Sequence, residues 1–144
     1  MENLLRDLLN VQTRDETLDM VHKHYPRAGA EVDGREVLPE TPNLASIDGS
    51  VEDYDILKGI REVSMSEMSD DPRTIMYAAD DFRRAKDLAA EIQRRKKISP
   101  LIIVVDKEGP YLLEGAHRLV ALIELKAKSF PAVVVIDMES ILTE

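Results

Sequence analysis

Five consecutive residues, Glu114-Gly115-Ala116-His117-Arg118, bring a carboxylate, an imidazole and a guanidinium to the predicted start of a helix. Basic side chains at a helix start oppose the helix dipole, which favours anions there. Helix N–H groups, a guanidinium and a glycine that lets the backbone approach closely can together bind a phosphate. A second interpretation is equally open, in which His117 and Arg118 only pair with Glu114 or another nearby carboxylate.

The apolar pattern on both sides of this segment predicts the elements that position it. Residues 101–105 are a continuous apolar run, typical of a strand buried on both faces. A turn at 106–110 and a second strand at 111–113 follow. Residues 116–127 are apolar almost all round, which predicts a buried helix, and 132–136 predict a third strand.

Upstream of this unit, alternation of apolar and polar residues at 60–65 predicts a half-buried strand. An acidic turn with Asp70, Asp71 and Arg73 follows, and a helix is predicted at 81–97. Cations at a helix end suit the dipole, so we interpret the basic last turn as a solvated helix end, with a phosphate-binding patch as the alternative. The basic residues of that turn are Arg94, Arg95, Lys96 and Lys97.

The N-terminal part is predicted to be helical and then irregular. A capping box at Thr13 and Glu16 predicts a helix to about residue 24, and leucines at helical spacing predict another over 3–10. This helical hairpin either packs on the core or offers a surface to a protein partner. Gly and Pro among polar residues predict a mobile loop at 25–50. We therefore divide the chain into residues 1–50 and residues 51–144.

Composition limits the classes of function. The 144 residues suffice for one core, and the lack of cysteine excludes disulfides, thiolate metal ligands and a cysteine nucleophile. No apolar stretch reaches membrane-spanning length and no secretion signal is visible, so we expect a cytoplasmic protein without a membrane partner. The net charge of −9 argues against general nucleic-acid binding, which depends on neutralising phosphates, although a local basic patch stays compatible.

Four motifs follow one another in an order that resembles the ParB/sulfiredoxin superfamily over residues 59–137. The resemblance implies an α/β (α+β) fold: one ParB/sulfiredoxin-like domain with a small mixed sheet and an N-terminal helical extension. The motifs are the strand beginning Arg61-Glu62-Val63, the pair Pro72-Arg73, the pair Ser99-Pro100 before an apolar strand, and the Gly-x-x-Arg-x-x-Ala pattern from Gly115 to Ala121.

The resemblance implies that the ligand is a nucleoside triphosphate. Phosphate contacts are then expected from Gly115, Ala116, His117 and Arg118, with Arg73 closing over them. Two departures restrict the activity. Sulfiredoxins carry their catalytic cysteine where this chain has Ala116, which excludes sulfinic-acid repair. ParB partition proteins follow this domain with a helix-turn-helix DNA reader, whereas only residues 137–144 follow the resemblance here, so we do not expect site-specific partition binding.

A small NTPase or phosphotransferase is the function that we predict. Glu114, Asp70 and Asp71 are the candidate catalytic carboxylates, and Glu114 is also a candidate ligand for Mg²⁺. The alternative is a non-catalytic regulator of phage or plasmid type that senses a nucleotide or binds a protein. A ParB-like nuclease is a further alternative, which the acidic net charge disfavours.

Overall fold

The computed structural model describes residues 4, 8, 10, 13–39, 54–68 and 79–142, and at 79–82 it describes the backbone only. The helices in these ranges are α1 (Arg14–His24), α2 (Ala79–Arg95), α3 (Ala116–Glu124) and α4 (Met138–Leu142). The strands are β1 (Glu31–Val32), β2 (Arg35–Val37), β3 (Tyr54–Ile56), β4 (Arg61–Ser64), β5 (Lys97–Ile98), β6 (Leu101–Asp106), β7 (Gly109–Glu114) and β8 (Ser129–Asp137). The fold is therefore a mixed α/β fold, as predicted.

The main sheet is built around β8. One edge of β8 pairs in parallel with β6, in a register that sets Leu101 opposite Ala132 and Val105 opposite Ile136. The other edge pairs antiparallel with β4 and then with β3. Antiparallel β7 completes the sheet beside β6, with a register shift between Ile102 and Ile103.

Both faces of β6 and β8 are buried. Alternate side chains point to opposite faces of a strand. On one face Leu101, Ile103 and Val105 join the main core, which includes α3. On the other face Ile102 and Val104 join a smaller cluster of buried and partly buried apolar side chains. The continuous apolar run is explained by this two-sided burial, and the prediction of a strand buried on both faces is confirmed.

Two helices end earlier than predicted, and a lysine with positive φ explains each end. Lys96, at φ 56°, follows α2, and Lys126, at φ 59°, follows α3. After α3 the N–H of Lys126 donates to Ile123 and that of Ala127 donates to Leu122, so the last carbonyls are satisfied as in a Schellman motif. Glycine is the usual residue at this position, so lysine gave no stop signal in the sequence.

The prediction of a loop across 25–50 is wrong for its described part. Strands β1 and β2 form a hairpin, and β2 pairs in parallel with β5 in a second, three-stranded sheet. Its two-residue turn is Asp33-Gly34, with φ of 51° and 78°, and Asp-Gly is among the strongest hairpin signals. The Asp33 carboxylate also accepts a hydrogen bond of 2.8 Å from the backbone N–H of Lys128. Residues 40–53 lie outside the described ranges.

The described N-terminal residues pack on the same core as the rest of the chain. Thr13 caps α1 through a 3.1 Å bond from the Glu16 N–H to its hydroxyl, as the capping box predicts. The side chains of Leu4, Leu8 and Val21 belong to the main core cluster. None of the helices in the described ranges is long and apolar enough to cross a membrane.

Candidate phosphate-binding site

Gly115 begins α3 in a conformation that only glycine adopts easily. Its φ is 104°, and no side chain caps the helix there. A Cβ at this position would lie 2.7 Å from Cγ of Leu101, inside van der Waals contact. The backbone at the start of α3 therefore approaches β6 closely, and the glycine has a packing role whether or not a ligand binds.

Arg118 is anchored to the strand next to it. Its Nη1 donates a hydrogen bond of 2.9 Å to the backbone carbonyl of Pro100, which is buried just before β6. One form of the alternative interpretation, a pair between Arg118 and Glu114, is not present in the described residues. Within the described residues Glu114 forms no ion pair and no side-chain hydrogen bond. The guanidinium is half-buried and is fixed beside the first turn of α3.

Two neighbouring cavities meet at Arg118. The larger, of about 570 Å³, lies at the start of α3, and the smaller measures about 160 Å³. The larger is lined by Leu88, Ser99, Leu113, Glu114, Gly115, Ala116, His117 and Arg118. The smaller is lined by Leu38, Leu88, Glu91, Ile92, Arg95, Lys97, Ile98, Ser99 and Arg118. Because Arg118, Leu88 and Ser99 line both, the two cavities are adjacent, and we refer to them together as the cleft beside α2 and α3.

The charges that line this cleft are mixed but mostly positive near Arg118. The first turn of α3 contains no acidic residue. Arg95 and Lys97 line the smaller cavity, and Arg95 pairs with Glu91 at 3.3 Å. The basic segment at 94–97, which we interpreted as a solvated helix end, thus contributes two of its four cations, Arg95 and Lys97, to the cleft. Glu114 is the one carboxylate that lines the larger cavity in the described part of the chain.

The structure brings together five of the eight predicted site residues. Glu114, Gly115, Ala116, His117 and Arg118 line one cavity. The other three, Asp70, Asp71 and Arg73, lie outside the described residues. Sequence reasoning did not assign Leu88 or Ser99 to the site, because a leucine in a core stripe and a serine before a strand carry no chemical signal of their own.

A metal site within the described ranges would depend on Glu114. No group of three or more His, Cys, Asp or Glu side chains there is arranged to hold an ion. Mg²⁺ commonly binds through one or two carboxylates, several waters and the phosphates of its substrate. A single carboxylate in a phosphate-sized cavity therefore fits Mg²⁺ only when the phosphates bind with it.

Comparison with known proteins found solved structures that are similar to part of this chain. No protein-family model matches the sequence, and no curated protein sequence matches it. A sulfiredoxin from Arabidopsis thaliana superposes with a TM-score of 0.42 and 19% identity, over 52% of this chain and 82% of the sulfiredoxin.

A chromosome-partitioning protein ParB from Caulobacter crescentus, C-terminally truncated and complexed with CTP-γ-S, superposes with a TM-score of 0.43 and 19% identity. The match covers 58% of this chain and 48% of that ParB, so it spans about half of the partitioning protein. Both matches are similarities in structure at 19% sequence identity.

Proposed function

We propose that this protein binds a nucleoside triphosphate in the cleft at the start of α3, with its phosphates against Gly115, Ala116, His117 and Arg118. One observation carries the proposal. Arg118 is anchored by Pro100 and lines both cavities of the cleft, beside a first helical turn that holds no carboxylate.

The hydrogen bond to Pro100 prepares the guanidinium for an anion. An arginine that is already fixed loses less side-chain freedom on binding than a mobile one. The guanidinium can also present two parallel N–H groups to a phosphate, and the start of α3 adds the positive end of a helix dipole. Arg95 and Lys97 extend the positive charge along the cleft, which suits a chain of phosphates more than a single one.

Glu114 gives the cleft its means of catalysis. Its carboxylate lines the cavity that holds the proposed phosphates, where it would hold Mg²⁺ beside them or accept a proton from an attacking hydroxyl or water. Mg²⁺ would neutralise part of the negative charge of the phosphates. NTP hydrolysis and phosphoryl transfer are the reaction classes that such positioning supports. Asp70, Asp71 and Arg73 stay proposed contributors from the segment before α2.

A non-catalytic nucleotide-binding regulator is the second candidate. Within the described ranges a single carboxylate lines the larger cavity, which is enough for binding with Mg²⁺ but a minimal set for catalysis. In this case the N-terminal helices are the proposed surface for a protein partner. The two candidates share the binding step and differ in turnover.

Thermal unfolding in the presence of nucleotides tests the shared step. ATP, CTP, GTP and UTP are added separately, each with and without Mg²⁺, and inorganic phosphate serves as the control for a bare anion. A ligand at a hundredfold excess over its Kd stabilises the folded chain by about 2.7 kcal/mol, which shifts the unfolding temperature visibly. Nucleotide binding predicts a saturable increase for at least one triphosphate. If none of the four triphosphates raises the unfolding temperature, the proposal is wrong.

A further inference from the structure

Arg61 is a buried cation that does not line this cleft. It lies in β4 with 2% of its surface exposed. Its Nε donates to the carbonyl of Lys58 at 3.1 Å and its Nη1 donates to the carbonyl of Tyr25 at 3.2 Å. Both acceptors are neutral, and within the described residues no carboxylate pairs with this guanidinium. Buried arginines are normally paired with an acid, so this charge is unusual.

The backbone of a second arginine, Arg27, pairs with the backbone of Arg61. Arg27 and Arg61 form an antiparallel bridge, flanked by hydrogen bonds from Ala28 to Ile60 and from Glu62 to Pro26. This pattern makes Arg27 and Arg61 a non-hydrogen-bonded pair, the arrangement in which side chains on one face come closest. Like charges directly opposite each other repel, and no acid separates these two in the described part.

The two arginines line a cavity of about 490 Å³ that is basic overall. Lys58 adds a third cation, and His22 lies at the same cavity. Asp15 and Asp19 are the carboxylates that line it, and Asp19 already pairs with Lys23 at 3.2 Å. Three cations therefore face two carboxylates, in a chain whose net charge is −9.

The rest of this cavity is apolar. Leu18, Leu57 and Ile56 line it beside the cations. Ile56 is 47% exposed, and it is the one large apolar side chain of the described chain that is exposed to this extent. A wall of this kind next to buried positive charge is suited to a ligand with an apolar body and a charged head.

We propose that this cavity binds a small anion with an oxyanion head, which contacts Arg61, Arg27 and Lys58, and an apolar body, which covers Ile56 and Leu57. The head would place negative charge between two guanidiniums that now repel each other. Burial first, and then the charge of Arg27, lowers the pKa of Arg61, which is the direction expected for a cation without a counter-ion. Carboxylates and phosphate monoesters share the head-group chemistry.

This site is independent of the cleft at α3, because the two sets of lining residues do not overlap. Gly59, with a φ of 77°, lies beside the Arg27 guanidinium, and an added Cβ there would be in ordinary van der Waals contact with it at 3.7 Å. The competing interpretation is that Arg61 only joins the Tyr25 and Lys58 carbonyls and binds nothing else.

Titration of the full chain with hexanoate and hexyl phosphate, followed by amide NMR, separates the two interpretations. Two further compounds serve as controls. Hexylammonium has the same apolar chain with a positive head group, and acetate has the carboxylate head group without the long apolar chain. The proposal expects saturable shifts at the amides of residue 27 and residues 56–61 with at least one hexyl anion, weaker binding of acetate, and none of hexylammonium. The tighter of the two hexyl anions identifies the head group.

Exposed residues supply the variants, so that folding is preserved. Arg27→Gln with Lys58→Gln should weaken binding of the tighter hexyl anion at least about tenfold, because two charge-assisted contacts are lost. Arg94→Gln with Lys107→Gln makes the same change of net charge away from the cavity and should bind as wild type does. Arg118→Ala should also leave this affinity unchanged. The proposal is overturned if neither hexyl anion saturates, if hexylammonium binds equally well, or if both double variants bind alike.

Discussion

The guanidinium of Arg118 donates a hydrogen bond of 2.9 Å to the carbonyl oxygen of Pro100, which ties the first turn of α3 to the start of β6. The same side chain therefore has a structural contact and a place in the candidate site. The partner at Pro100 is a neutral carbonyl oxygen, and within the described residues Glu114 does not pair with Arg118. The structural contact also means that removing Arg118 costs stability, about 0.5–1.5 kcal/mol for one hydrogen bond.

Substitution of Gly115 by alanine should be strongly destabilising. The added Cβ would lie 2.7 Å from Cγ of Leu101. Alanine would also have to adopt a φ of 104°, which L-residues rarely do. Strain of this kind costs on the order of 1–3 kcal/mol, and a core clash adds a similar amount. Gly34→Ala is the matched control, because its φ is 78° and nothing lies within 4 Å of the new atom.

Urea unfolding of the two alanine variants measures the difference. Gly115→Ala should lose clearly more stability than Gly34→Ala, and the double variant with Leu101→Ala should lose less than the sum of its two single losses, because the clash is relieved. Equal losses for the two glycine variants would show that the close approach of α3 to β6 has no energetic consequence.

Leu119→Asp should prevent folding. Leu119 is fully buried on the face of α3 that packs in the main core. Replacing it with aspartate removes that packing and buries an unpaired charge, a loss of more than about 4 kcal/mol. Val120 is half-buried on the same helix, so Val120→Asp is the control and should remain folded. A cooperative thermal transition for Leu119→Asp would contradict the buried position of this residue.

The stability of the protein should decrease above about pH 10, in part because of Tyr25. Burial first, and then the charge of Glu67 and a hydrogen bond of 2.7 Å to its carboxylate, raise the pKa of Tyr25. A raised pKa means that the folded state keeps the proton while the unfolded chain loses it near pH 10. The stabilisation from Tyr25 is therefore complete below about pH 10 and lost as pH increases beyond that value.

The variant Tyr25→Phe isolates this contribution. At pH 8 it should lose about 1.5–3 kcal/mol, because the hydroxyl donates to a charged acceptor. Above pH 10 the difference from wild type should shrink, since phenylalanine has no proton to lose. Urea unfolding at pH 8 and pH 11 gives both values, and a difference that is the same at the two pH values would count against the raised pKa.

If the protein turns over nucleotide, Glu114→Gln should bind it and fail to turn it over. The change removes a metal ligand or base and keeps the size of the side chain, so the expected loss of rate is about 10²–10⁴-fold. Glu108→Gln, on the exposed turn before β7, is the control. Phosphate release by Glu114→Gln at the wild-type rate would exclude this role, and binding without turnover in wild type would favour the regulator.

Periodicity and Pro and Gly punctuation were enough to predict the elements around the site. The structure has β6, β7, α3 and β8 at the predicted places in the chain. The strands β6 and β8 were predictable because strands buried on both faces of a sheet have continuous apolar sequences. The ends of α2 and α3 were not predictable, since lysines supply the positive φ at both. The hairpin at Asp33-Gly34 was predictable and was missed, because its strands are only two and three residues long.

The site was predictable in its sequence-local part only. Charge placement identified Glu114 to Arg118, because these residues are adjacent in the chain. The Arg118 contact with Pro100 spans 18 residues of sequence, and a backbone carbonyl has no sequence signature. Arg61 was not identified for the same reason, because its unusual feature is a buried guanidinium that pairs with no carboxylate within the described residues.

Isothermal titration of a nucleoside triphosphate tests most directly whether Arg118 binds phosphate. The triphosphate with the largest thermal shift is titrated into wild type, Arg118→Ala, Arg118→Lys and Arg94→Ala, each first shown to be folded by its urea transition. Arg94 is exposed on α2 and lines neither cavity of the cleft, so its loss controls for net charge.

Loss of a charge-assisted phosphate contact in Arg118→Ala should cost about 1.5–3 kcal/mol, at least tenfold in Kd. Arg118→Lys should recover part of the affinity, because lysine keeps the charge but not the planar fork. Arg94→Ala should bind as wild type does. Equal affinity in all four proteins would contradict the phosphate site and leave Arg118 with a structural role, which includes its contact with Pro100.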